Sequence, residues 1–311
     1  MKRVITIIVA ILIAFSGGAK NPKVWRSLKK DVNMFIVSDP GRNGYYDQKP
    51  IAELMGEMAE KISPDCIVAS GDVHHFDGVQ SVQDPLWMTN FELIYSHPKL
   101  MVKWLPILGN HEYRGNTQAV IDYSNISRRW CMADRYYTKV YKDDGATVRL
   151  VMIDTTPMIN NYRKSNGSYA AVKEQDYKEQ QSWLNNVLSK AKEDWIIVVG
   201  HHPIYADTGK STKERSDMQK RVDTILRKHD KVDMYICGHI HNFQHIRKAG
   251  CDIDYVVNSS AARGRNVKEI DGTQFCSPET GFAVLAADKK SLCLHMINKK
   301  GKVLHTITRT K

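Results

Sequence analysis

The chain has 311 residues, 42% of them hydrophobic and 25% charged, with a formal net charge of +11. That length and apolar content suit one large α/β domain better than two small ones, and no internal repeat or low-complexity tract interrupts it. The positive charge favours anionic substrates, but the basic residues are dispersed (Lys29-Lys30, Arg128-Arg129, Lys289-Lys290, Lys299-Lys300) without interleaved aromatics or a recognition helix, so no dedicated nucleic-acid partner is expected.

At the N-terminus, Lys2 and Arg3 precede an apolar run from Val4 to Phe15 and the small residues Ser16 to Ala19, the pattern of a secretory leader. The run is about half of the ~20 apolar residues a spanning helix needs. It predicts a signal peptide over residues 1–19, a single mature domain over 20–311, export to a periplasmic or extracellular compartment, and no stable membrane span after cleavage. Six cysteines is an even count, yet Cys66 and Cys237 sit inside apolar strands, so no disulfide framework is expected; only Cys251 with Cys276 is left open as a pair.

Apolar, β-rich runs follow at Asn33–Val37, Cys66–Ala69, Trp104–Leu108, Tyr136–Tyr141, Val148–Ile153, Trp195–Val199, Met234–Cys237, Tyr255–Val257, Phe282–Ala286, Leu292–Ile297 and Val303–Ile307. Helical patterns fall between them at Pro50–Ile62, Pro85–Tyr95, Asp176–Lys192 and Lys213–Lys228. Of these the third is clearest, with Tyr177, Trp183, Leu184, Val187, Leu188 and Ala191 on one stripe. Alternating strands and helices in the first half imply parallel pairing, and the closely spaced strands after Cys237 imply antiparallel hairpins. Two mixed β-sheets packed face to face with helices outside, a four-layer α-β-β-α sandwich, accommodate both. The stretch Thr155–Gln175 lacks periodicity and reads as a long loop, either a lid or a surface insertion.

Five short strings carry the chemistry: Asp39-Pro40-Gly41, Gly71-Asp72, Gly109-Asn110-His111-Glu112, Gly200-His201-His202-Pro203 and Gly238-His239-Ile240-His241. Four of them directly follow an apolar run, where ligands gather in α/β sheets. Asp72 is a carboxylate with two oxygens on a short side chain, able to bridge two cations, and Gly71 permits a sharp exit from the strand. Asp39 adds a second hard anion, Asn110 a neutral carbonyl oxygen, and His201, His239 and His241 imidazole nitrogens. That mixed donor set suits zinc, iron or manganese better than calcium. Each string alone is common in proteins; their joint order argues for a site holding two metal ions.

The strings resemble the five signature blocks of the calcineurin-like metallophosphoesterase superfamily. More narrowly, with Gly115–Ser124, Arg128-Arg129-Trp130, Gln181–Leu184 and Tyr235–His239, the chain resembles the small, mammalian-type (tartrate-resistant) purple acid phosphatases over nearly all of its mature length. The resemblance implies a first metal on Asp39, Asp72 and His241 and a second on Asp72, Asn110, His201 and His239. It implies a metal-bound hydroxide attacking phosphorus in line, with His111 protonating the leaving oxygen. Two departures stand out. In the purple enzymes a tyrosinate binds iron(III) and gives the colour; here His75 occupies that position, with His74 as its bland neighbour, and is expected to ligate without the purple absorption band. A further histidine of that family is replaced by Lys210. Together with His202 and Tyr205, Lys210 is expected to contact substrate. The expected function is an exported binuclear-metal phosphomonoesterase acting on small phosphorylated substrates; the alternatives are a phosphodiesterase or nucleotidase on the same scaffold, or a non-catalytic metal- or phosphate-binding module.

Overall fold

The computed structural model describes residues 21–311, so the leader expected over 1–19 lies outside the described residues. Among these, no helix is long and apolar enough to cross a membrane. The strands are β1 (Val32–Val37), β2 (Cys66–Ala69), β3 (Lys103–Pro106), β4 (Tyr137–Asp143), β5 (Ala146–Met152), β6 (Trp195–Val199), β7 (Val232–Cys237), β8 (Phe243–Ile246), β9 (Asp254–Val257), β10 (Thr273–Ser277), β11 (Gly281–Ala287), β12 (Ser291–Asn298) and β13 (Val303–Thr310). They form two mixed sheets, in the orders β13-β12-β11-β1-β2-β3 and β10-β8-β9-β7-β6-β5-β4. This is the expected sandwich.

Parallel pairing joins β1 with β2 and β2 with β3 in one sheet, and β5, β6, β7 and β9 in the other. Every residue of β1, β2, β6 and β7 is buried. Parallel strands covered on both faces read in this way as continuous apolar runs. The antiparallel β11, β12 and β13 extend the first sheet beyond β1 as hairpins. Two strands escaped the sequence reading. β8 is masked by Gln244 and His245, which are buried polar residues, and β10 by the polar Thr273, Gln274 and Ser277 on a partly exposed edge.

Helix Gln48–Ile62 buries Ile51, Leu54, Met55, Met58, Ala59 and Ile62 on one face and stops at Ser63, whose backbone is left-handed and whose N–H returns to Ala59. Tyr177–Lys190 begins under an Asp176 side chain that accepts from the backbone N–H groups of Lys178 and Glu179. The stretch after Thr155 is not a structureless loop. It folds into short turns at Thr156–Met158, Asn160–Arg163 and Ala170–Glu174, anchored by buried Tyr162 and Val172. All six cysteines are free, Cys251 and Cys276 included.

The parallel strands all present their carboxyl ends at the same rim, and there the sheets are joined. Asn258 Nδ2 donates to the Ile36 carbonyl at 2.9 Å, Ala261 N to the Ser38 carbonyl at 2.9 Å, and Ser260 Oγ to the Asp39 carbonyl at 2.9 Å. A rim stitched from both sides can hold ligands from two sheets in fixed register.

Candidate metal centre

The loops place their ligands two to four residues beyond the strand ends. Asp39 follows β1, Asp72 follows β2, Asn110 and His111 follow β3, His201 follows β6, and His239 and His241 follow β7. Four of these residues have left-handed backbones: Asp39 (φ 49°), Asp72 (φ 54°), His239 (φ 72°) and His241 (φ 62°). Non-glycine residues in that region cost about 1–3 kcal/mol each and persist where surrounding structure enforces them, characteristically at functional sites.

The enforcing contacts cross between loops. Asp39 Oδ2 accepts from His239 N at 2.8 Å, and Asp72 Oδ1 accepts from His111 N at 2.9 Å. Glu112, fully buried, accepts from Gly109 N (2.7 Å), Asp72 N (2.9 Å) and His74 N (3.1 Å), tying the second and third strings into one unit. Burial and the neighbouring Asp72 push the Glu112 carboxyl up to about 7, against the pull of the backbone donors. The glycines in the strings leave room for these carboxylates. A Cβ on Gly238 would fall 2.4 Å from Asp39 Oδ2, and one on Gly109 2.2 Å from Asp72 Oδ1.

The remaining carboxylate oxygens face histidines. Asp72 Oδ2 lies 3.1 Å from His201 Nε2 and 3.5 Å from His75 Nε2; Asp39 Oδ1 lies 3.2 Å from His241 Nε2; His239 Nδ1 lies 3.2 Å from His201 Nε2. Ligand atoms about 2.1 Å from a shared cation stand roughly 3–3.5 Å apart, so these separations match coordination. The donor atoms of Asp39, His75 and His241 all lie within 4.8 Å of one another, as do those of Asp39, Asp72 and His201. Asp72 Oδ2 stands between His75 of the first group and His201 of the second.

A cation is also what the buried polar atoms lack. Asp39 Oδ1 and Asn110 Oδ1 are buried without a hydrogen-bond partner, an arrangement costly in a folded protein unless something else satisfies them. Asn110 gives its amide N–H to Tyr169 at 3.3 Å, which leaves its carbonyl oxygen free to ligate. His201 Nδ1 lies 2.8 Å from the Ser70 carbonyl, which holds the Nδ1 proton and leaves Nε2 as the nitrogen that a cation would take in exchange for its proton. The residues fit a pair of metal ions. Burial alone would raise both carboxyl pKa values, but the surrounding histidines outweigh it and hold Asp39 below, and Asp72 well below, the usual range. At His201 burial opposes the imidazolium, but Asp72 and then Asp39 outweigh it and raise the pKa to about 9.

His75 joins the cluster, with its ring 4.1 Å from that of His111, whereas His74 turns away to lie edge-on against Trp87 at 4.4 Å. His111 Nδ1 meets the Phe76 carbonyl at 2.6 Å, and its Nε2 lies 3.9 Å from Asp72 Oδ2. The three expected substrate contacts diverge. Lys210 reaches the cluster, its Nζ 3.0 Å from His239 Nε2. His202 is fully buried behind His239, its ring nitrogens 2.8 Å from Thr155 Oγ1 and 3.3 Å from the Tyr162 hydroxyl, and is a wall of the site with no face open to substrate. Tyr205 gives its hydroxyl to Asp223 at 2.8 Å and lies edge-on to Tyr255, outside the cluster's bonding network. Glu214, 3.3 Å from His239 Nε2, and Tyr169 also border the site, and neither carried a signal in its local sequence.

The fold, the order of the strings and the bridging carboxylate together define a phosphoesterase, and the calcineurin-like phosphoesterase model matches residues 33–243. The chain belongs to that family and is a metal-dependent phosphoesterase. Its relatives include purple acid phosphatase 3 of Arabidopsis thaliana, 28% identical over 96% of this chain and 85% of that protein. Human tartrate-resistant acid phosphatase type 5 is 30% identical over 67% of this chain and 65% of its own length. Among solved structures, the fold is similar to that of GAP50, the anchor in the inner membrane complex of Plasmodium, with a TM-score of 0.75 at 22% identity, covering 91% of this chain and 89% of that one.

Proposed function

We propose that this phosphoesterase hydrolyses small phosphate monoesters. One cation would be held by Asp39, Asp72, His75 and His241, and the other by Asp72, Asn110, His201 and His239. Bound there, the pair supplies Lewis-acid polarisation of phosphoryl oxygens and lowers the pKa of coordinated water. The chain's own part is orientation, charge and one proton. With Nδ1 tied to the Phe76 carbonyl, His111 offers Nε2 as the atom that gives its proton to the leaving oxygen. On the other flank, Lys210 beside His239 supplies positive charge for a non-reacting phosphoryl oxygen.

The observation that carries this reading is Asp72 Oδ2 standing between His75 and His201, with His111 on the same carboxylate. Support for a monoester comes from the acid phosphatase relatives. The test compares p-nitrophenyl phosphate with bis-p-nitrophenyl phosphate; a clear preference for the diester defeats the monoesterase reading in favour of a phosphodiesterase. Asp72→Ala should remove metal and activity, and His111→Ala activity with metal largely retained. Equal metal loss in both would undo the acid assignment. Export belongs to the same reading, supported by the N-terminal run of charge, apolar and small residues. N-terminal sequencing of the mature protein should begin near residue 20, and an intact Met1 would contradict it.

A further inference from the structure

Arg42 follows the first string, and its backbone is tied down. Its N–H donates to Gln48 Oε1 at 3.1 Å, its carbonyl accepts from Tyr45 N at 2.9 Å, and Gly41 N before it donates to the Asp72 carbonyl at 3.3 Å. Its side chain is a different matter. The residue is only 8% exposed, yet among the described residues its guanidinium has neither a hydrogen bond nor an ion pair, and its Nε is fully occluded with no acceptor. One face is covered by the Phe76 ring, 4.9 Å from the guanidinium carbon.

A guanidinium carries five donors and cannot shed its proton; here the Nε–H is buried without an acceptor, an expensive arrangement, while the terminal nitrogens stay open to take a partner from outside. The charges acting on it are Asp39 and Asp72, which favour the cation, and Arg265, which opposes it. Those two carboxylates are committed elsewhere, Asp39 to His239 and His241 and Asp72 to His111, His201 and His75. What the guanidinium lacks is an anion with paired oxygens, arriving from the metal-centre side. Phe76 marks the same direction: 63% exposed, it holds His111 by its carbonyl and Arg42 by its ring. Arg42 and the leaving-group acid are thereby set on one rim.

Resting on the monoesterase reading, we propose that Arg42 is a substrate-anchoring and specificity-determining residue, whose guanidinium fork takes the non-reacting oxygens of a phosphoryl dianion at the Asp39–Asp72 flank, opposite Lys210 on the His239 flank. A monoester offers such a pair of charged oxygens. A diester, with one of them esterified, uses the fork poorly, so Arg42 sets the preference for monoesters.

The test uses Arg42→Gln, which keeps a long side chain over Phe76, and Arg42→Lys, which keeps the charge without the fork. Metal content is read by elemental analysis, inorganic phosphate binding to the metal-loaded protein by calorimetry, and kcat/KM on p-nitrophenyl phosphate and its bis ester. Expected for Arg42→Gln are unchanged metal content, phosphate binding weakened at least tenfold, and a monoester-to-diester ratio lowered at least fivefold, with partial recovery in Arg42→Lys. Phosphate affinity within twofold of the parent overturns the proposal. So does metal loss in Arg42→Gln, which would make the side chain a structural support of the Asp39 loop. A parent protein that binds phosphate but turns over no monoester defeats the functional reading alone, because the effect of Arg42 on phosphate affinity is read independently.

Discussion

Gly238→Ala tests whether the strings are held together by close approach between loops. The added Cβ would stand 2.4 Å from Asp39 Oδ2, 2.8 Å from Ser38 Cβ and 3.1 Å from Ser38 Oγ. Ordinary carbon contacts begin near about 3.5 Å, so one partner must shift by roughly 1 Å. Gly238 lies outside the left-handed region, and the effect is therefore collision without backbone strain. Moving Asp39 that far breaks its 2.8 Å bond from His239 N, costing about 1.5–3 kcal/mol for a charged acceptor, on top of about 1–3 kcal/mol of overpacking. At roughly 2 °C per kcal/mol for a chain of this size, the metal-free protein should melt about 5–10 °C lower. Asp39 serves one cluster and Asp72 both, so Gly238→Ala should shed about one metal equivalent. Gly109→Ala, whose Cβ would meet Asp72 Oδ1 at 2.2 Å, should shed both. Gly167→Ala, with nothing within 4 Å, is the control. Calorimetry, elemental analysis and p-nitrophenyl phosphate turnover read the outcome. If Gly238→Ala keeps the parent melting temperature, both metals and full turnover, the close-approach reasoning is wrong.

The other expectations are these. Glu112→Gln turns one of the acceptor oxygens that receive Gly109, Asp72 and His74 into a donor; metal affinity should fall about 10–100-fold, as when other groups that hold metal ligands in place are lost, measured by competition with a chelator. Because His75 stands where a tyrosinate gives purple relatives their colour, the iron-loaded protein should lack the purple band in its visible spectrum, and a strong band would show that another anionic ligand binds the ferric ion. Burial, with help from Lys30, pushes the His295 pKa down to about 4. The unfolded chain therefore takes up a proton below about pH 6.5 that the folded protein refuses until about pH 4. Stability should fall through that window by about 1–3 kcal/mol as pH drops, and denaturant titrations of His295→Gln should show the slope flattened by a similar amount.

Most ligand residues were legible because they sit two to four positions beyond an apolar strand, where chemistry and spacing coincide in a short string. Their supports were not. Glu112 belongs to a string that was read for its histidine, and only the folded structure reveals three backbone donors converging on it. Arg42, Tyr169 and Glu214 reach the centre from a turn, a short 3₁₀ region and a helix that carry no periodic signal. The Thr155–Gln175 stretch looked structureless because turns of three to five residues are too short to print a period. Its Tyr162 and Tyr169 are nonetheless built into the wall of the site.

The most direct test of the binuclear centre is metal stoichiometry by elemental analysis of the purified protein beside Asp72→Ala and Asp39→Ala. The shared position of Asp72 predicts about two ions per chain in the parent, close to none in Asp72→Ala and about one in Asp39→Ala. A parent that holds a single ion, or an Asp72→Ala protein that still holds two, would contradict it.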